Sequence, residues 1–367
     1  EEAALEKGME TIRGNYAASV AKGRICQDKM DGCMALIGGI TDFVQLGEPD
    51  IVIEAIFEKM GVSEEDSKIG ANVLVMSDLR GVETHGVSNM LRMYVQQYIE
   101  GDLNPRPVWT IEREAPGTAT INGDHGLAII LGPKTMRVAM DKAKVVGIGA
   151  VTLYNVGHSG PIGHHAMLAV EEDMIGITMT AGGVKIAPTF AAEPRYGTNP
   201  IAMAAPGRNE APFLFDAATS TIAGNKVNLA ARIGADLLPG WIADLNGVPN
   251  AESVPVPEAF DDYYLLPLGG TREQGSHKGY GLGMMVEIMG ALLSGGTPHM
   301  LDNTPWSQHY FSAYNIESFT DVDEFKDKMD QTLRTLRTTK PAPGHERVMY
   351  PGLSEHEEEI ERRANGI

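Results

Sequence analysis

The chain has 367 residues, 43% of them hydrophobic and 22% charged, enough for two or three domains with real cores. Its net charge of −19 argues against a nucleic acid or an anionic membrane as partner, because both would repel it. Two cysteines, Cys26 and Cys33, make neither a disulfide framework nor a metal pattern, and no apolar run reaches the ~18 residues of a membrane span. The start "EEAALEKG" is acidic, unlike a signal peptide, so a reducing cytoplasm is the expected compartment.

Leu5, Met9, Ile12, Tyr16 and Val20 recur every three or four residues and predict a first helix that Gly23 can end. A shorter helix covers Gln27 to Leu36. "PDIVIEAIFEKMG" (49–61) is ambiguous: Asp50 to Ala55 suits a buried strand, while Ile53, Ile56, Phe57 and Met60 make a helical face. "SEED" from Ser63 is a capping box, with Asp66 answering Ser63, ahead of a helix that turns Ile69, Val73, Met76 and Leu79 inward. "ETHGVSN" interrupts, and Met90, Leu91, Tyr94 and Tyr98 form a further amphipathic helix ended by Gly101.

An alternating stretch follows. "TATING" predicts a strand, "GPKTMRVAMDKAKVVG" a helix with Pro133 near its first position, and "IGAVTLYNV" a strand. "PIGHHAMLAVEEDM" predicts a helix, and "IGITMT", "NPIAMAAP" and "FLFDAAT" predict strands. A connection at about 234–262 leads to the helix "GYGLGMMVEIMGALLSG". A strand near "HYFSAYNI", a helix with Phe325, Met329, Leu333 and Leu336 on one face, and an acidic helix after "YPGLSE" complete the chain. This order is α/β (α+β), with helical sections flanking the strands.

Chemistry concentrates in four places. "NVGHSGPIGHH" offers His158, His164 and His165 as zinc donors, but on one helix His164 and His165 point about 100° apart. His158 lies between glycines after a strand and before a helix, where an imidazole suits proton exchange; capping the next helix is the plainer role. In "SDLRGVETHGVSNMLR", His85 has Arg80 and Arg92 in helical reach as carboxylate forks, and Arg80 pairing with Asp78 or Glu83 is the simpler account. "GSHKGYGLG" lacks the preceding strand of a Rossmann fingerprint, so Lys278 and its glycines suggest anion binding only. "YGTNPIAMAAP" and "FDAATS" put polar residues at strand ends, which turn chemistry explains equally well.

In this order, "DLRGVETHGVSN", "NVGHSG", "YGTNPIAMAAPG", "FDAATST", "HKGYGLGMMVEI" and "YPG" resemble the second type of malate/L-lactate dehydrogenases, with their ureidoglycolate, sulfolactate and diketogulonate relatives, over about residues 53–367. The resemblance implies a homodimeric NAD(P)-dependent oxidoreductase with a non-Rossmann cofactor domain, acting at C2 of a 2-hydroxy or 2-oxo carboxylate. It implies His158 as proton acceptor, and Thr84, His85 and Arg92 at the substrate. It places Gly182, Asp216, Ala217, Ala218, Lys278, Gly279, Gly352, Leu353 and Ser354 at the cofactor, NAD or alternatively NADP, with no metal. Gly182 replaces a common serine, and Asn89 stands where many relatives carry arginine.

The first ~60 residues resemble an internal piece of a 3-hydroxyacyl-CoA dehydrogenase nucleotide domain without its glycine loop. The expected organisation is therefore an appended helical, non-catalytic fragment (1–52), a helical domain (53–115 plus 270–367) and an α/β cofactor and substrate domain (116–269). A metal-dependent hydrolase built on the histidine cluster and a non-catalytic remnant are the competing readings.

Overall fold

The computed structural model describes residues 2–21, 26–35, 53–302 and 304–367. The chain divides into two compact units, Glu1–Ala55 and Ile56–Ile367. In the first, α1 (Glu2–Ala21) and α2 (Gln27–Ala35) match the two helices that the periodicity predicts, with Met9, Ile12, Tyr16 and Val20 half-buried on α1. Gly23, the expected helix stop, and the first half of the ambiguous stretch lie outside the described residues. The rest of that stretch is helical: α3 (Ile53–Lys59) buries Phe57 completely.

In the second unit, α4 (Glu64–Leu79) begins at Ser63, whose hydroxyl accepts the Asp66 amide at 3.2 Å. The return half of the capping box is replaced, because the Asp66 carboxylate pairs with Lys134 instead. Small and polar side chains form much of the buried face of α4, including Ser67, Gly70, Ala71, Ser77 and Asp78, while Ile69 and Met76 are only half-buried. A 3-10 turn (Glu83–His85) and a π turn (Val87–Leu91) fill the predicted interruption before α5 (Arg92–Glu100), which Gly101 ends in the left-handed conformation.

The strands β1 (Thr110–Ala115) and β2 (Thr118–Asn122) lead into α6 (Ala128–Val146), β3 (Ile148–Val156), α7 (Ile162–Val170) and β4 (Met174–Ala181). Helix α6 starts five residues ahead of Pro133, because its first turns are apolar and held by burial with no side-chain cap. Pro133 therefore sits inside the helix, and its missing amide leaves the Ile129 carbonyl without its usual donor. Then come β5 (Ile201–Ala205), β6 (Phe213–Ala217) and α8 (Gly224–Ile233), and the short ladder of β7 (Ile242–Ala243) with β8 (Tyr264–Leu265). Helix α9 (Ser276–Val286) runs into a π segment (Glu287–Leu292), followed by β9 (Ser307–Asn315), α10 (Val322–Arg337) and α11 (Leu353–Asn365). On α10, Leu333 is buried and Met329 partly so, but Leu336 is exposed.

Seven strands form one mixed sheet in the order β1-β2-β3-β9-β4-β5-β6. Within this sheet, among the described residues, β2 and β3 pair in parallel and every other pair is antiparallel, β9 lying antiparallel to both β3 and β4. Strands β2, β3, β4 and β6 consequently run the same way, and their C-terminal ends share one edge. The middle strand β9, and β1 at the border, come from segments that the sequence reading assigns to the helical domain, so the sheet crosses that partition. Thr178 on β4 donates to the Ile162 carbonyl of α7, whereas its neighbours Met179 and Ala181 pack with Val286 and Ala291. The alternation of a strand thus sets α7 on one face and the α9–π helix on the other. The main core lies under α6, with Met136, Met140, Ile121, Leu153 and Phe311 buried together.

Candidate active site

Strand β3 loses register with β9 between Leu153 and Val156, and Asn155 there has φ +60°. Such an irregularity re-aims a strand end. Beyond it, Gly157 to Pro161 cross the sheet edge before α7, and His158 stands in this crossing. Its Nδ1 lies 2.8 Å from the Tyr94 hydroxyl and accepts the Gly160 amide at 3.2 Å. Both hydrogen bonds seen among the described residues use Nδ1, so Nε2 is the nitrogen left for a substrate. The His85 ring stacks on His158 with centroids 5.6 Å apart and planes 12° from parallel, and Thr84 Oγ1 lies 3.0 Å from His85 Nδ1. Burial, with smaller contributions from His85 and His309, pulls the His158 pKa down to about 3, and burial lowers that of His85 as well. Two neutral imidazoles therefore face each other at neutral pH.

This pair opens on a cavity of about 1110 Å³. Thr84, His85, His158, Asp216, Ala217, Ala218, Gly352 and Ser354 all line it. Strand β6 brings Asp216 there; one carboxylate oxygen accepts the Gly163 amide in the first turn of α7 at 2.7 Å. Although much of its surface is open to the cavity, the protein packed behind it raises the Asp216 pKa to about 6 against that hydrogen bond. Gly352 enters α11 at φ +93°, and a Cβ there would meet the Leu214 backbone nitrogen at 2.8 Å, so only glycine suits the position. The cavity wall between α4 and α11 holds Arg80, whose guanidinium pairs with Glu359 at 2.8 Å, the partner among the described residues being neither the Asp78 nor the Glu83 carboxylate.

Other expected positions are elsewhere. Arg92 and Lys278 are exposed and outside the lining, and the buried Gly279 and the half-buried Gly182 are outside it too; Leu353 is partly buried against Ala211, Leu333 and Tyr350. Gly279 has a packing reason to be glycine, since a Cβ would lie 2.3 Å from the Leu268 carbonyl oxygen. His164 and His165 present rings at 86° to each other, and His165 Nε2 donates to the Ser159 carbonyl at 2.9 Å. Among the described residues no group of three His, Cys, Asp or Glu is arranged to hold a metal ion.

Sequence reasoning missed Tyr94 and Asn225. Tyr94 reads as one apolar position of α5, yet it is fully buried and its hydroxyl finds His158; a buried phenol needs a partner, which was the available signal. Asn225, at the start of α8, donates to the Thr84 carbonyl at 3.0 Å, and no motif marks it.

Comparison with known proteins places these features in a family. Residues 47–367 match the family described as malate/L-lactate dehydrogenase, and residues 1–66 match the 3-hydroxyacyl-CoA dehydrogenase NAD binding domain. A malate dehydrogenase of Pyrococcus horikoshii is 42% identical over 82% of this chain and 84% of its own length. An L-sulfolactate dehydrogenase of Methanocaldococcus jannaschii is 35% identical over 86% of this chain and 90% of its own. The crystal structure of malate dehydrogenase from Entamoeba histolytica superposes with a TM-score of 0.81 at 33% identity, covering 86% of this chain and 90% of that one.

Proposed function

Because the chain belongs to the malate/L-lactate dehydrogenase family, we propose that it oxidises a small 2-hydroxycarboxylate such as malate or lactate, with His158 taking the hydroxyl proton. It is an NAD-dependent hydroxyacid dehydrogenase. The cavity exceeds the few hundred to about 1,000 Å³ typical of drug-sized ligands, which leaves room for a dinucleotide beside a small acid. Asp216 offers carboxylate oxygens to ribose hydroxyls, and Ala217, Ala218, Gly352 and Ser354 line the same wall, so the residues fit the cofactor. When bound there, NAD supplies the acceptor for the hydride that leaves C2.

The chain's own part is the proton. An imidazole kept neutral by burial is suited to proton exchange at Nε2; to accept the hydroxyl proton there, the ring takes the tautomer in which Nδ1 donates to the Tyr94 oxygen in place of accepting the Gly160 amide. In reduction the same nitrogen returns the proton to the 2-oxo oxygen. His85 stacks on His158 and Thr84 contacts His85, so both would stand beside the substrate as polar partners. Ureidoglycolate or sulfolactate would meet the same reacting centre, so the choice of acid rests with the rest of the lining. The observation that carries this reading is the Tyr94–His158 bond at the cavity edge.

Replacing His158 with Gln tests it: turnover should fall by about 10²- to 10⁴-fold while NADH still binds with its original Kd by fluorescence titration. Undiminished turnover would remove His158 from the role.

The proposal includes a homodimer and a non-catalytic residue 1–50 segment. Met285, Ile288, Leu292 and Leu293 on α9 and its π extension are exposed apolar side chains that a second copy would cover. A reducing cytoplasm would keep the exposed Cys26 thiol free.

A further inference from the structure

Behind the edge that carries His158 lies a second imidazole to which the reaction above gives no task. His309 stands on the middle strand β9, is 0% exposed, and pairs in register with Leu153 on β3 and Thr180 on β4. Thr180 Oγ1 lies 2.9 Å from His309 Nδ1 and 3.1 Å from Ser159 Oγ. Ser159 directly follows His158 and is buried. Three side chains therefore run in one line from the centre of the sheet to the crossing that presents the reacting ring. The Ser159 carbonyl is held separately by His165.

Hydrogen-bond logic gives the line a direction. Burial keeps His309 neutral, and the nearby Gly157 backbone favours its ring proton. With Nδ1 accepting from the Thr180 hydroxyl, Thr180 in turn accepts from Ser159, and the ring proton sits on Nε2. Nε2 makes no well-formed hydrogen bond, so the site tolerates an imperfectly satisfied ring at the core of the sheet. Burying such groups costs stability that leucine, valine and alanine of similar shape would not cost. Gly157 and Ser159 flank His158, and both answer to this one ring.

We infer that His309 is a positioning residue: acting through Thr180 and Ser159, it fixes the crossing that sets His158 against the substrate. The inference rests on His158 exchanging the substrate proton. Small misplacements of a reacting group cost rate more than binding.

The test uses the full chain with NADH and a 2-oxo acid, reading kcat, KM, NADH Kd and Tm together. Thr180→Val and His309→Leu should each lower kcat about ten-fold at unchanged NADH Kd and KM. The double variant should lose about the same ten-fold, because both changes cut one line. His309→Asn, which keeps an acceptor near the Nδ1 position, should recover most of the rate. Over a His158→Gln background, Thr180→Val should change nothing further. Wild-type kcat in Thr180→Val, multiplied losses in the double variant, or a ten-fold loss that persists over His158→Gln would each overturn the inference. If His309→Leu does not fold, Thr180→Val and Ser159→Ala carry the same test. Wild-type turnover in His158→Gln alone would instead overturn the proton role of His158, a result separate from any of these.

Discussion

The phenol of Tyr94 is the most specific residue-level feature of the site. Burial drives its pKa far above the ordinary value, so it stays a neutral hydroxyl against His158 Nδ1. Tyr94→Phe removes that bond and leaves the Gly160 amide alone to hold the ring. A net hydrogen bond of about 1 kcal/mol corresponds to about five-fold in kcat, with Tm nearly unchanged because the ring still fills its place. Equal kcat in the two proteins would make Tyr94 a packing residue only. At this scale the sequence speaks unevenly. His158 is legible because glycines and a strand–helix junction surround it. Tyr94 is not, because helical periodicity reports that a side chain is inside and says nothing of what its polar tip meets. Arg92, Lys278, Gly182 and Gly279 carry motif resemblance, yet none of them lines the cavity of this chain.

Between elements, two glycines set how closely helices lie on the sheet. A Cβ on Gly149 of β3 would lie 1.8 Å from the Ala139 carbonyl oxygen of α6, and one on Gly176 of β4 would lie 2.2 Å from the Ala166 carbonyl oxygen of α7. Both contacts are with backbone, which cannot swing aside. Gly149→Ala should therefore destabilise by about 1–3 kcal/mol or more, read as a lower urea midpoint, and should shift His158 at the end of the same strand. A midpoint equal to that of the wild type would mean that α6 moves away freely. Element types were largely legible, since the alternation of "IGITMT" and the 3.6-residue period of α10 are strong local signals. The start of α6 was not, because an all-apolar first turn carries no polar cap to announce it.

Across the molecule, buried histidines tie stability to acidity. His158, His165 and His309 titrate near 3 and His164 near 4 when folded, each lowered first by burial, against about 6.5 unfolded. As pH falls below 6.5 the unfolded chain takes up these protons first, so stability present above 6.5 is lost progressively down to about 3. Asp216 works in the opposite sense: raised from 3.8 to about 6, it favours the folded state as pH falls through that window. Burial also raises Asp78 and Glu287 and lowers His85 and His299, so six imidazoles outweigh three carboxyls, and Tm should drop between pH 7 and pH 5. His309→Asn should make that drop smaller; a Tm that rises on acidification in the parent protein would refute the assignment. The global topology was the least legible level. Local patterns gave the strand at "HYFSAYNI" but not its neighbours, since pairing across more than a hundred residues leaves no periodic trace.

The place of β9 also constrains how the protein is born. A ribosome has to release residues up to about 315 before β3 and β4 gain the strand between them. Until then the nascent chain holds two half-sheets, β1-β2-β3 and β4-β5-β6, each with an unpaired border where the other will join. Such long-range closure is slow, and open borders invite aggregation, so this enzyme's yield in a cell should depend on help given to chains that have not yet been made as far as β9.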